Sequence, residues 1–282
     1  MFRPKLLFTS LAALALGACS PQDPQAVTSA AIAKSVILPT YTRWVEADRQ
    51  LAVSALAKSS VVVQGLSAYE YILFDSKPDV ANDAQKAKYC PLLKAIGERQ
   101  KQLAEDILKS WNNTDGMLAQ MSKFPNQRYA DSHEAIADLL RVQVTALDTL
   151  KKKLGTPMGR QSKGVPQPFQ ADAWRSQSSL AGLEASLAAA KTVWEGVDNK
   201  GLRGLLPSEQ KPLADKIDAA YAASLKLFAS NQRSLTEMLN DDAGRQQLND
   251  IYDSLNVVHR LHEGELAKAL GIQLGFNAND GD

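Results

Sequence analysis

Ser67 and Glu70 stand three residues apart in the stretch Gly65-Leu66-Ser67-Ala68-Tyr69-Glu70. On a helix that spacing sets a hydroxyl and a carboxylate one turn apart on a shared face. The carboxylate can ligate a cation or accept a proton. A neutral hydroxyl is a poor ligand for zinc or ferrous iron, and near neutral pH it is no general base without help. One carboxylate alone does not make a metal site. The histidines are His133, His259 and His262. In His259-Arg260-Leu261-His262-Glu263 two imidazoles stand three apart with a carboxylate beside the second, an order that fits neither His-Glu-x-x-His nor its inverted form. His262 shares an apolar stripe with Leu255, Val258 and Leu266, which reads as a hydrogen-bonded interior histidine or one at a bundle junction. His133, beside a helix start, is expected to face solvent.

Trp174, Arg175 and Ser176, followed by Ser178 and Ser179, lie near an expected helix start. Such hydroxyls and free amides can hold an anion or a sugar, or can do no more than satisfy the first turn. Tyr69 and Tyr71 flank Glu70 and read as packing residues with polar tips. Asp280 and Asp282 gather carboxylates at the end of the chain. A cation site and an ordinary packed or solvated terminus are both open there.

Cys19 carries a different chemistry. Arg3 and Lys5 precede an apolar run from Leu6 to Leu16, which closes on Leu16-Gly17-Ala18-Cys19. A basic start, a short hydrophobic stretch and small residues before a cleavage point describe a secretory signal, and the run is too short to span a bilayer. The ending resembles a bacterial lipobox, in which the cysteine is acylated and becomes the new N-terminus. Ser20 follows, not Asp, so by resemblance to sorted lipoproteins the expected place is the periplasmic face of the outer membrane. Several acyl chains, at about 0.8 kcal/mol per buried methylene, hold a folded domain there.

Loss of residues 1–18 removes Arg3 and Lys5, lowering Lys+Arg from 32 to 30 against 31 acids. A chain so near neutrality has no concentrated basic face, which excludes nucleic acid as the expected partner. The partners expected are a membrane, through the lipid, and a ligand or envelope protein whose identity stays open. No cofactor is expected, and a metal ion is left open. With Cys19 acylated, Cys90 has no partner for a disulfide and reads as a small buried residue.

Apolar residues recur at intervals of three and four. Leu180, Leu183, Leu187, Ala190 and Trp194 form one such stripe. Ile136, Leu140, Val144, Leu147 and Leu150 form another, Leu213, Ile217, Ala220, Ser224 and Phe228 a third, and Leu248, Tyr252, Leu255, His262, Leu266 and Ala269 a fourth. Only Val61, Val62 and Val63 cluster as a strand would. The pattern predicts an all-α protein of six or seven long helices. Asp131 and Ser132 cap one of them, and Gly155 ends it after Lys151, Lys152 and Lys153. Pro39 should kink or break the first helical stretch. Six Gly and Pro residues between Gly155 and Pro168 predict a linker over 156–171, with helical bundles over 19–155 and 172–282. Asp172 is expected to cap the helix carrying Trp174, and Gly275 to stop the last helix.

Three stretches together resemble the imelysin family, exported all-α bacterial proteins classed with a metallopeptidase group. They are Gly65 to Phe74, against the family's Gly-x-His-x-x-Glu; Trp174 to Leu180, against Trp-x-Ser-x-x-Ser/Leu; and Leu270 to Asp282, against Leu-Gly-x-x-Leu-Gly-Phe-Asn-x-x-Asp-Gly-Asp. The resemblance runs from about Ile37 to Asp282. It implies two packed four-helix-bundle-like domains with a site where they meet, formed by Gly65, Ser67, Glu70, Trp174, Arg175, Ser176 and Asp280. The family's histidine is Ser67 here. The resemblance therefore implies a non-catalytic binding or accessory lipoprotein linked to iron uptake. The alternatives are a metal-dependent peptidase using Glu70 with residues of the second bundle, and a structural envelope lipoprotein.

Overall fold

Asn82 starts the longest helix by accepting hydrogen bonds from the amides of Ala84 and Gln85. Its carboxamide replaces the partners that first-turn amides lack. The computed structural model describes residue 56 and residues 58–60, 63–75 and 78–274. Residues 1–18, Cys19, Pro39, Val61, Val62 and the tail from Gly275, with Asp280, lie outside the described residues. Contacts divide the chain into two units, residues 1–116 and 117–282. No helix among the described residues is long and apolar enough to cross a membrane.

In the first unit, α1 (Leu66–Phe74) packs on α2 (Asp83–Asn112). Ala68 and Ile72, four apart, turn inward from α1. They meet Leu92, Leu93 and Ile96 of α2 in a core shared with Leu56, Val63 and Tyr89. Gln100 Nε2 donates to the carbonyl of Gln64 at 2.8 Å, which ties the entry of α1 to α2. Cys90 forms no disulfide and is half-buried, not fully buried as expected.

The second unit is a four-helix bundle. Four long helices, α4 (Ser132–Gly155), α5 (Ser179–Glu195), α6 (Lys211–Ala229) and α8 (Asp242–Arg260), form a closed ring in which each packs on the next. The short α3 (Met117–Gln120) precedes them in sequence, and α7 (Leu235–Met238) lies between α6 and α8. After α8 the chain widens into a π turn, Leu261–Leu266, and ends its helical run in α9 (Ala267–Ala269). Caps set the starts: Asp131 accepts from Glu134, Asp241 from Gly244, and Ser234 with Glu237 forms a reciprocal capping box. The stripes face inward as spaced. Leu187, Trp194, Ile217 and Leu255 are fully buried, each stabilising the core by roughly 1.5–3 kcal/mol.

No strand occurs among the described residues, and the chain is all-α. The expected boundary is corrected. Residues 156–171 lie inside the second unit, and α4 before them packs against α5 after them. The segment is itself packed: Gln167 donates to the Pro157 carbonyl at 2.8 Å, and Arg160 stacks over Tyr252 of α8 at 3.6 Å while bonding Asn249. Gly159 has a φ of 86°, and a Cβ there would come within 2.4 Å of the Val165 carbonyl oxygen. The glycines and prolines shape a tight crossing, not a tether. The last helix also stops earlier than expected, at Gly271, whose φ is 66°.

Candidate functional site

Gly65 is the N-cap of α1 with an extended backbone and no side-chain cap. Its φ is negative, and a Cβ at this position would meet nothing within 4 Å among the described residues, so neither strain nor crowding demands glycine. Because Ala68 and Ile72 take the inward face, Ser67 is left exposed and Glu70 half-buried at the flank. The hydroxyl and the carboxylate do share a turn, as their spacing predicts. As a metal site the donor set is deficient. Nowhere among the described residues do three or more His, Cys, Asp or Glu side chains gather in a way that could hold an ion. A catalytic zinc takes about three protein ligands and an open position, a set that the described residues do not assemble.

Trp174, Arg175 and Ser176 belong to the second unit. They do not lie on a helix, since α5 begins only at Ser179. The serines explain why. Ser176 donates to the Ala173 carbonyl at 3.1 Å, Ser178 to that of Ser176 at 3.2 Å and Ser179 to that of Asp172 at 2.5 Å. These bonds close turns in competition with a helix. Ala173 and Gln177 take positive φ in the same stretch. Asp172 caps no helix and pairs instead with Lys153, the end of α4, at 2.7 Å. The indole is held edge-on by Phe169, with ring centroids 4.7 Å apart, and the Arg175 guanidinium lies 4.3 Å from its ring centre. What results is an aromatic and cationic knob on a structured turn. Each group of expected site residues is thus placed within its own unit, and Asp280 is outside the described residues.

His133 is exposed, as expected. His262 is fully buried and hydrogen-bonded, which decides for the interior reading. The polar chain around it was not anticipated. Gln143 Nε2 donates to the Ala190 carbonyl at 2.7 Å and to Tyr221 Oη at 3.0 Å. Tyr221 Oη lies 3.3 Å from His262 Nε2, and His262 Nδ1 lies 2.9 Å from the Val258 carbonyl. One proton order satisfies every member: Nδ1–H donates to Val258, and the phenol donates to Nε2. Burial holds His262 down to about 4 and raises Tyr221 above the usual phenol value. The signal available was Gln143, a polar residue between Leu140 and Leu147 on a buried stripe.

A second cluster lies where α4 meets the end of α8. Asp148 is shared by Lys151 at 3.3 Å and Lys152 at 2.9 Å. Burial alone would raise its carboxyl, but the two ammonium groups outweigh burial and hold it below the ordinary range. Lys151 Nζ reaches His259 Nδ1 at 3.1 Å, and Glu263 stands 3.8 Å from the same nitrogen. Burial first, then the charge of Lys151, lowers the affinity of His259 for a proton. Beside this cluster opens a cavity of about 880 Å³.

The family model described as imelysin, a peptidase family, matches residues 20–262. The chain belongs to the imelysin family. Neither a curated protein nor a solved structure matches it. The match covers both units, including Gly65 to Glu70 and Trp174 to Ser176. The tail stretch from Leu270 falls beyond it. Ser67 and Glu70 both fall within the segment that the imelysin model spans.

Proposed function

We propose that this imelysin-family chain is a non-catalytic binding component of the cell envelope, held on the periplasmic face of the outer membrane by an acylated Cys19 and serving iron uptake. The observation that carries the reading is Ser67. It stands exposed one turn before Glu70, where an imidazole would be needed to pair with that carboxylate on a metal. A hydroxyl keeps the capacity to hydrogen-bond a ligand and gives up the capacity to help activate water on a metal. The residues assigned to binding in this reading are Gly65, Ser67 and Glu70 in the first unit and, as a separate group, Trp174, Arg175 and Ser176 in the second.

Three measurements test it. Protein purified without chelators is assayed for iron, zinc and calcium, and the wild type and Ser67→His are titrated with each metal. Ser67→His should bind a divalent metal more tightly than the wild type. Tight stoichiometric binding by the wild type, with chelator-sensitive peptide cleavage that Glu70→Gln abolishes, restores the peptidase. Growth of a deletion strain under iron limitation tests the physiological half, and growth equal to the parent removes iron uptake from the reading.

A further inference from the structure

The cavity beside α4 is lined by residues of the second unit alone, among them Arg141, Asp148, Lys152, His259, Glu263 and Lys268. His259 is the informative member. Its side chain is only 8% exposed, and its Nδ1 faces the Lys151 ammonium at 3.1 Å. An ammonium has only protons to give, so Nδ1 accepts and the ring proton sits on Nε2. That Nε2–H carries no hydrogen bond among the described residues, and it is not among the polar atoms sealed from solvent. A nearly buried ring on a cavity wall thus holds a donor with no acceptor among the described residues. Since that nitrogen is open to solvent, a ligand entering the cavity can replace water as its acceptor.

The charges around it select the partner's sign. Asp148 is already claimed by Lys151 and Lys152. Arg141 spends one guanidinium donor on Asp138, at 2.7 Å, and keeps the others. Lys268 is exposed and has no ion pair among the described residues. The wall carries the cations Arg141, Lys152 and Lys268 against the carboxylates Asp148 and Glu263, so the surplus charge is positive. We propose that this cavity is a binding site for a small oxyanion, carboxylate or phosphate, which takes the Nε2–H of His259 and the charges of Arg141 and Lys268. The proposal does not depend on the role assigned to Ser67 and Glu70.

Calorimetric titration of the full chain with citrate and, separately, with inorganic phosphate tests the site. Saturable binding is expected at or below about 1 mM for at least one probe. Lys268→Gln should weaken it about tenfold, the scale of one lost charge-assisted contact, and Glu263→Gln should tighten it by roughly threefold. Because both residues are exposed, neither change endangers the fold. In ¹⁵N NMR the His259 ring signals should move with the probe while those of His133 stay. Binding of citrate alone assigns a carboxylate ligand, and binding of phosphate alone a phosphate. Absence of heat and shift with both probes at about 10 mM overturns the proposal. So does binding that both variants leave unchanged, because the anion then sits elsewhere.

Discussion

Tyr221 Oη and His262 Nε2 approach to 3.3 Å at the centre of the second bundle, and through this contact all four long helices share one hydrogen-bonded chain. Gln143 stands on α4, the Ala190 carbonyl on α5, Tyr221 on α6, and His262 just past α8. The chain is buried and directional. Such a network favours one rotation of each helix over others that apolar packing alone would tolerate.

Tyr221→Phe removes the donor to His262 and the acceptor of Gln143 while keeping the ring. Two buried groups are left partly unsatisfied, and a loss of about 1–3 kcal/mol is expected. Urea unfolding should show a lower midpoint with an unchanged denaturant slope. No change would show that the network contributes nothing to stability.

His262 makes the bundle sensitive to acid. Its folded pKa of about 4 lies below the ordinary histidine value of 6.5, so below pH 6.5 the unfolded chain binds a proton that the folded chain refuses. The associated stability is complete above pH 6.5 and declines as pH falls toward 4, by roughly 3 kcal/mol in all. Unfolding measured across that interval should be steeper in pH for the wild type than for His262→Leu. Equal slopes would reject the buried neutral imidazole.

Gly159→Ala and Gly65→Ala should separate cleanly. At Gly159 a positive φ and a Cβ 2.4 Å from the Val165 carbonyl oxygen predict a loss above about 1 kcal/mol. At Gly65 no described residue lies within 4 Å of the added carbon, and a change within about 0.5 kcal/mol is expected. Thermal melting of the two variants checks the contrast.

A fragment of residues 117–282 should fold into a cooperative helical bundle, while one of residues 172–282 should not, because it lacks α4 and with it Leu140, Gln143 and Leu147. Circular dichroism and hydrogen exchange on both fragments decide where the unit begins. Cooperative folding of the shorter fragment would return the boundary to the glycine- and proline-rich segment.

Cys19 is testable without any structure. Mass spectrometry of the mature N-terminus should find an acylated cysteine as the first residue, and Cys19→Ala should abolish membrane attachment. An unmodified peptide beginning upstream of Cys19 defeats the anchor.

The helices were legible because burial repeats: Leu180, Leu183, Leu187, Ala190 and Trp194 are all interior, as a period near 3.6 demands. The boundary misled because glycine and proline mark a change of direction equally well in a tether and in a packed crossing. Only contacts such as Arg160 on Tyr252 distinguish the two, and these join residues 92 apart. The turn at Trp174 to Ser178 misled for a related reason. Serines before a helix can cap it or divert it, and the choice rests on which carbonyls lie within reach. Ser67 and Glu70 were legible as a pair by spacing alone. The acceptor vacancy at His259 was not, since it depends on Lys151 crossing from another helix.

The π turn at Leu261–Leu266 takes about one residue more per turn than the α-helix before it. That surplus works as a phase shifter. It lets His262 and Leu266 stay on the buried side while the chain beyond is rotated by roughly 100° relative to an uninterrupted helix, carrying Lys268 with it. Deleting one residue there, Gly264 for instance, would restore an ordinary helix and swing everything downstream around its axis. Because Leu266, Ala267 and Ile272 belong to the core that the four helices share, a one-residue change there re-aims the cavity wall and disturbs the bundle together.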